Sequence, residues 1–343
     1  MIYDKKMQIL SNIFAYSNIF DYISIVFNLK DMNFKSLIEL LDYFKNEETG
    51  IKYFEQIRWG DNIVCPHCGA VKPYRTNRGF KCSDKECHKK FTVRTGTIFE
   101  NSKIPFRVWF AAIYLATTSS KGISSVQLAR QLNITQKTAW FVLHRIREML
   151  KEKAPKMLDS GKTVEADESY LGGKEKNKHY AKRRSLVNNN LRNDGTPYKP
   201  KNTVLGVIER NGNVVLKYVP NATQENMREF IESHVPEGAK IYTDEYRGYS
   251  SLHQKYDHDT INHGISLYVA GDVHTNSIEN FWSILKRGIY GIYHQVSEKH
   301  LSRYLDEFAG RFNTKGLANQ DRFDKFLKDN TTYLSYKQLI CQL

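Results

Sequence analysis

A chain of 343 residues with 51 lysines and arginines against 37 acids, a formal net charge of +14, is long enough for two or three domains that each bury a core, which excludes a lone small binding module. The positive excess favours a polyanionic partner, nucleic acid first, over a merely basic soluble protein. Five cysteines are too few for a disulfide scaffold, no apolar run approaches the roughly 18 to 20 residues of a membrane span, and Asn12, Ser17, Asn18 and Asp21 interrupt the apolar N-terminal stretch without a cleavage site after it, so the expectation is a cytoplasmic protein with no membrane partner.

Residues 1–31, rich in Phe, Ile, Asn and Tyr, carry no clean period and read either as an extension ahead of a start at Met32 or as a true extra helix. Residues 32–59 read as one helical segment with a stripe at Phe34, Leu37, Leu40, Leu41 and Phe44, running on to Trp59. Within 60–100, Cys65-Pro66-His67-Cys68 and Cys82 to Cys87 form two paired knuckles with thirteen residues between them. Four thiolates at Cys65, Cys68, Cys82 and Cys87 suit a structural tetrahedral Zn²⁺, and Gly69 lets the backbone turn toward the sulfurs. The rival readings are four buried free thiols, or His67 or His88 in place of one thiol. Basic and aromatic residues alternate around the knuckles, at Tyr74, Arg75, Arg78, Phe80, Lys81, Lys89, Lys90 and Phe91, which fits a nucleic-acid surface and equally the core of a small zinc domain.

Residues 104–150 read as helical throughout, with Pro105 in the first turn and apolar positions at Val108, Ala112 and Leu115. In 124–150, Val126, Ala129 and Leu132 make a short stripe, Asn133 suits a left-handed turn and Thr135 a helix cap. The next stripe is Ala139, Val142, Ile146 and Met149. Two helices joined by so tight a turn make a helix-turn-helix or a plain packing hairpin. In the first reading Gln136, Lys137 and Thr138 reach base edges, with His144, Arg145 and Arg147 nearer the phosphates.

From 162 to about 320 the period becomes that of a mixed α/β sheet: strands at 163–171, 203–210 and 214–220, the last two joined by Asn211-Gly212, then a helix at 223–235 and a strand at 240–246. Residues 174–202 read as a long basic loop, and 321–343 as a C-terminal tail. Three acids stand out: Asp167 inside the first strand, Asp244 at the end of the last, and Glu279 on a helix from 274 to 288. On that helix Ile278, Phe281, Trp282, Leu285 and Ile289 form the buried stripe, leaving Asn276, Glu279, Ser283 and Lys286 on another face. Carboxylates so placed would hold two Mg²⁺ or Mn²⁺ about 3.5–4 Å apart; solvated or salt-bridged acids at strand ends are the alternative. Glu165, Glu168 and Glu245 compete for the assignment, and alternation puts Glu165 on the face of Asp167 and Glu168 on the opposite one.

Taken together, Arg58-Trp59-Gly60 with the first knuckle, Arg94 to Phe99, the helical hairpin, Glu165 to Gly173, Thr243 to Tyr246, His274 to Gly288 and Tyr304 to Phe308 resemble the bacterial insertion-sequence transposases of the DDE type with an N-terminal zinc ribbon and an ISXO2-like transposase domain. The resemblance spans roughly 32–320. It implies an α/β, RNase-H-like catalytic core behind a zinc ribbon and a helix-turn-helix, cutting DNA at terminal inverted repeats and joining the 3′ ends to target DNA. Its metal-binding triad falls on Asp167, Asp244 and Glu279, with Asn276 the alternative third position, and Lys286 matches a basic residue that touches DNA near the cut. Joining two transposon ends implies at least a dimer. A catalytically idle DNA-binding regulator and a nuclease of the same fold are the rival functions.

Overall fold

The computed structural model describes residues 34–151, 157–172, 201–261, 273–328, 330 and 332–341. The extension 1–31 and nearly all of the basic loop 174–202 lie outside them. The described residues divide into two compact units, one of those up to 93 together with 105–107 and 318–328, the other of those in 94–104, in 108–317 and beyond 328.

In the first unit the helix expected from 32 to 59 is two helices, α1 (Leu37–Tyr43) and α2 (Glu47–Trp59). Ser36 caps α1 by accepting the Glu39 amide, and the chain leaves the helix at Phe44 (φ −88°, ψ 52°), whose fully buried ring meets Tyr53 edge-on at 5.0 Å. Asn46, a residue that favours helix starts over interiors, is extended and opens α2. A later helix, Asn319–Leu327, belongs to the same unit, with Phe323 against Phe34 at 5.3 Å and the Tyr53 hydroxyl donating to Asp324. Between them β1 (Tyr74–Thr76), β2 (Gly79–Lys81) and β3 (Lys90–Phe91) form a small antiparallel sheet.

Helix α3 (Phe106–Thr118) belongs to the second unit from Val108 onward. Trp109, Phe110, Ala111, Ala112 and Ile113 are all buried, so this helix is enclosed on most sides; of the expected positions Ala112 is buried while Val108 and Leu115 are only partly so. A break at 119–124 separates it from α4 (Ser125–Leu132) and α5 (Gln136–Lys151). The turn between these helices is built as expected, with Asn133 left-handed (φ 50°, ψ 47°) and the Thr135 Oγ1 accepting the Thr138 amide at 3.2 Å. Leu128 rather than Val126 packs inward beside Ala129, leaving Val126 48% exposed.

The main sheet has the order β6-β5-β4-β7-β8, from β4 (Val164–Leu171), β5 (Asn202–Glu209), β6 (Val214–Val219), β7 (Lys240–Asp244) and β8 (Asp257–Ile261). β4, β5 and β6 run antiparallel, β7 and β8 parallel to β4, which is the RNase-H-like arrangement. β8 reads Asp-His-Asp-Thr-Ile, too polar to announce itself, and occupies an edge. One face, with Val164, Ala166, Leu205 and Val207, is covered by α6 (Gln224–His234) through Met227, Phe230 and Ile231. The other, with Leu171, Val204 and Ile208, is covered by α7 (Asn276–Gly288) and α8 (Glu298–Asn313).

Helix α5 is tied to α8 by charge. Arg147 Nε donates to Glu307 at 2.6 Å with both side chains 2% exposed, Arg311 donates to the same carboxylate, and so does the Tyr293 hydroxyl at 2.5 Å. Burial raises the Glu307 pKa, but Arg147 and Arg311 outweigh it and hold the carboxyl below its ordinary value. A depressed carboxylate stabilises the fold above its unfolded pKa and loses that contribution as pH falls through the folded one. Glu307→Gln leaves two buried cations without their anion, and denaturant unfolding should show a loss of about 3–5 kcal/mol at neutral pH that shrinks in acid. An unchanged midpoint would mean that Arg147 and Arg311 reach water.

Candidate functional site

The sulfur atoms of Cys65, Cys68, Cys82 and Cys87 lie within 4.8 Å of one another, while His67 and His88 stay outside the group and exposed. Gly69 takes a left-handed φ of +79°, which brings the chain round so that the Ala70 carbonyl accepts the Cys65 amide at 2.8 Å. The second knuckle turns the Asp84 amide onto the Cys82 sulfur at 3.4 Å. Cys65 and Cys82 are buried with Phe80 and Phe91, whose rings stack at 5.4 Å, and Trp59 closes the cluster edge-on to both. So small a core is held by few apolar residues, and four soft donors with amides aimed at them fit Zn²⁺. Metal analysis of reduced protein should find about one zinc per chain, and Cys82→Ser should lose it together with the folded signal of the ribbon while the sheet unit keeps its unfolding transition. Wild-type zinc content in that variant would remove the thiol site.

The candidate DNA-reading residues divide by burial. Gln136 and Lys137 are exposed at the start of α5, with Gln136 Nε2 donating to Ser125 at 2.9 Å and the Lys137 ammonium 5.0 Å from the Tyr336 ring centre. Thr138 is half-buried, its hydroxyl 2.8 Å from that of Thr135. The phosphate-facing expectation for His144, Arg145 and Arg147 is overturned, because all three are buried. Arg145 spends its guanidinium on backbone carbonyls, Nε donating to Leu334 at 2.9 Å and Nη1 to Ile98 and Glu100 at 2.7 and 2.8 Å. It is a structural clamp. Arg147 serves Glu307, and His144, held neutral by burial and by Arg147, has a hydrogen-bond partner at neither ring nitrogen among the described residues.

The parallel pairing of β4 with β7 aligns Val164 with Ile241 and Glu165 with Tyr242. Carried two residues further, the same register sets Asp167 level with Asp244, at the carboxyl end of β7. Carboxylate oxygens of Asp167, Glu168 and Asp244 lie within 4.8 Å of one another. Glu168 does leave the strand on the opposite face, where the Tyr249 hydroxyl donates to it at 2.9 Å, yet its side chain is long enough to join the other two. Alternation put it on the other face but left it a competitor, as the acid directly following Asp167. Burial first, then Glu168 and Asp244, push the Asp167 pKa up to about 7, opposed by hydrogen bonds from the Trp282 indole and the Glu168 amide. Oxygen donors of this density suit a hard divalent cation.

Glu279 sits in the first turn of α7, accepting from the Thr275 hydroxyl at 3.1 Å. It lines a cleft with Asp167, Glu168, Trp282, Lys286 and Arg287 but stands outside the group of three. Asn276 is exposed and does not line that cleft. Trp282 Nε1 donates to Asp167 at 2.8 Å, and Gly206, the register partner of Asp167 on β5, gives the indole its room: a Cβ there would lie 2.6 Å from the ring. Sequence reading took Trp282 as core only. Among the described residues no helix is long and apolar enough to cross a membrane.

Two family models match the chain: the ISXO2-like transposase domain over residues 158–313 and the transposase zinc-ribbon domain over 45–90. A protein of the transposable element ISH50 from Halobacterium salinarum, itself uncharacterised, is 29% identical over 281 residues, 78% of this chain and 91% of its own length. Among solved structures, the Mos1 transposase paired-end complex with the left transposon end is 14% identical with a TM-score of 0.26, and the Mos1 strand transfer complex 13% identical with a TM-score of 0.23. Each likeness covers 69% of this chain and 82% of the other, at scores that say nothing of mechanism. With a four-cysteine ribbon ahead of an RNase-H-like sheet and both domain models matched in that order, the chain is similar, domain by domain, to insertion-sequence transposases that join a transposase zinc ribbon to an ISXO2-like transposase domain.

Proposed function

We propose that the protein binds the terminal inverted repeats of an insertion sequence, cuts the DNA there with divalent metal and transfers the cut strands to target DNA. The observation that carries this reading is the convergence of Asp167 and Glu168, in the middle of β4, with Asp244 at the carboxyl end of the neighbouring parallel strand β7. Bound Mg²⁺ or Mn²⁺ would make a water or a DNA 3′-hydroxyl nucleophilic and stabilise the leaving oxygen. Asp167 and Asp244 supply ligand oxygens, Glu168 lies in reach of the same ion, and Glu279 faces the cleft from α7 as the third acid of the family triad. The Trp282 indole and the Tyr249 hydroxyl fix the carboxylate rotamers. Lys286 and Arg287 put positive charge along the same cleft, where a phosphodiester must lie for in-line displacement. Gln136, Lys137 and Thr138 are the base-reading candidates, the zinc ribbon a further DNA contact, and two copies are needed to hold two ends. An idle DNA-binding regulator has no use for an acidic cluster, since such a cluster repels DNA unless cations occupy it.

Asp167→Asn, Asp244→Asn and Glu279→Gln keep side-chain shape and remove charge. Each should lower cleavage of a labelled inverted-repeat substrate by at least about a thousandfold, several kcal/mol of transition-state stabilisation, with DNA binding retained, whereas Asn276→Ala should be mild. Full activity in Glu279→Gln with a dead Asn276→Ala would transfer the third role to Asn276; full activity in Asp167→Asn would end the reading.

Lys137→Ala should weaken binding to the element's ends by about 1–3 kcal/mol and relax discrimination against altered end sequences, the loss of one base contact. Unchanged affinity and discrimination in mobility-shift titrations would move recognition from α5 to another surface.

A further inference from the structure

We infer that Glu165 is a positioning residue: its buried carboxylate docks the N-terminus of α7 on β4 and thereby sets Glu279 and Trp282 against Asp167. The consequence for cleavage rests on the function proposed above; the structural part does not. Glu165 is 0% exposed and sits two residues before Asp167 on the same strand face. Its Oε2 accepts the backbone amides of Ser277 and Ile278 at 2.8 and 3.0 Å, and its Oε1 accepts the Ser277 hydroxyl at 3.0 Å and Arg210 Nε at 2.9 Å. His274 Nδ1 lies 3.3 Å from Oε1, and Arg210 also donates to the His274 carbonyl at 2.9 Å.

The first amides of a helix have no partner within it and carry the positive end of its dipole, so a carboxylate is the side chain that satisfies both. A helix ordinarily obtains this service from its own N-cap residue. In α7 the N-cap is Thr275, which makes no side-chain cap bond and donates its hydroxyl to Glu279 instead. The strand thus supplies the cap, and the residue that would have capped orients the third acid. The same helix, one turn further on, delivers the Trp282 hydrogen bond to Asp167. Shape alone would permit α7 to slide or turn on its apolar stripe; five polar contacts on one buried carboxylate do not.

Glu165→Gln keeps the volume of the side chain but turns an NH₂ toward donors. The protein is labelled with 5-fluorotryptophan, its four indoles are resolved by fluorine NMR, and the Trp282 resonance is assigned with Trp282→Phe. In Glu165→Gln the Trp282 resonance should move while those of Trp59, Trp109 and Trp140 stay, and kcat for end cleavage should fall by roughly a hundredfold, the effect of about 1 Å of misplacement, with DNA affinity unchanged. A folded Glu165→Gln protein with the wild-type Trp282 resonance, whatever its melting temperature, overturns the inference. If that variant does not fold, Ser277→Ala, which removes one donor and no charge, is read in its place: a smaller shift of the same resonance with a smaller loss of kcat supports the docking role, and an unmoved resonance with unmoved kcat overturns it. Undiminished cleavage by Asp167→Asn would instead strike at the transposase reading, and the Trp282 resonance would still decide the role of Glu165.

Discussion

Three carboxylates with oxygens inside 4.8 Å repel one another, and the architecture of the sheet unit can be understood as what it takes to hold them there. The cost is visible at Asp167, whose proton affinity rises to about pKa 7 through burial and the neighbouring negative charges. Backbone pairing bears most of the load. β4 is bonded along its whole length to β5 and at its start to β7, so Asp167 and Asp244 are fixed by ladders that their side chains cannot undo. Indole, hydroxyl and amide donors from Trp282, Tyr249 and the Glu168 backbone then satisfy individual oxygens.

What the sequence announced and what it concealed follow the range of the interactions involved. Short apolar, β-branched runs announced β4 to β7, the Asn211-Gly212 dipeptide the hairpin between β5 and β6, and Asn133 with Thr135 the turn between α4 and α5, because each depends on residues within a few positions of one another. The buried stripe of α7 from Ile278 to Ile289 was legible for the same reason. Cysteine spacing alone announced the four-thiol group. His144, Arg145 and Arg147 looked like the outer face of a basic helix, since nothing local reveals that Glu307 or the carbonyls of Ile98 and Leu334 await them from distant stretches of chain.

The same limit explains the carboxylates. Alternation gave the faces of Glu165 and Glu168 correctly and their surroundings not at all. Glu168 reaches back to the cluster because its side chain is long and the strand ends nearby, and Glu165 turns to a helix more than a hundred positions away. Gly206 carries no chemistry of its own, yet its missing side chain admits the Trp282 ring over the sheet, a fact visible only once the register of β4 with β5 is known.

The clamps on α5 have one further implication. Arg147 bonded to Glu307 on α8, and Arg145 bonded to three carbonyls of the same unit, leave the helical hairpin no swivel of its own against the sheet. In the proposed function the interval between the start of α5 and the acids of the cleft is then set by packed protein rather than by a tether.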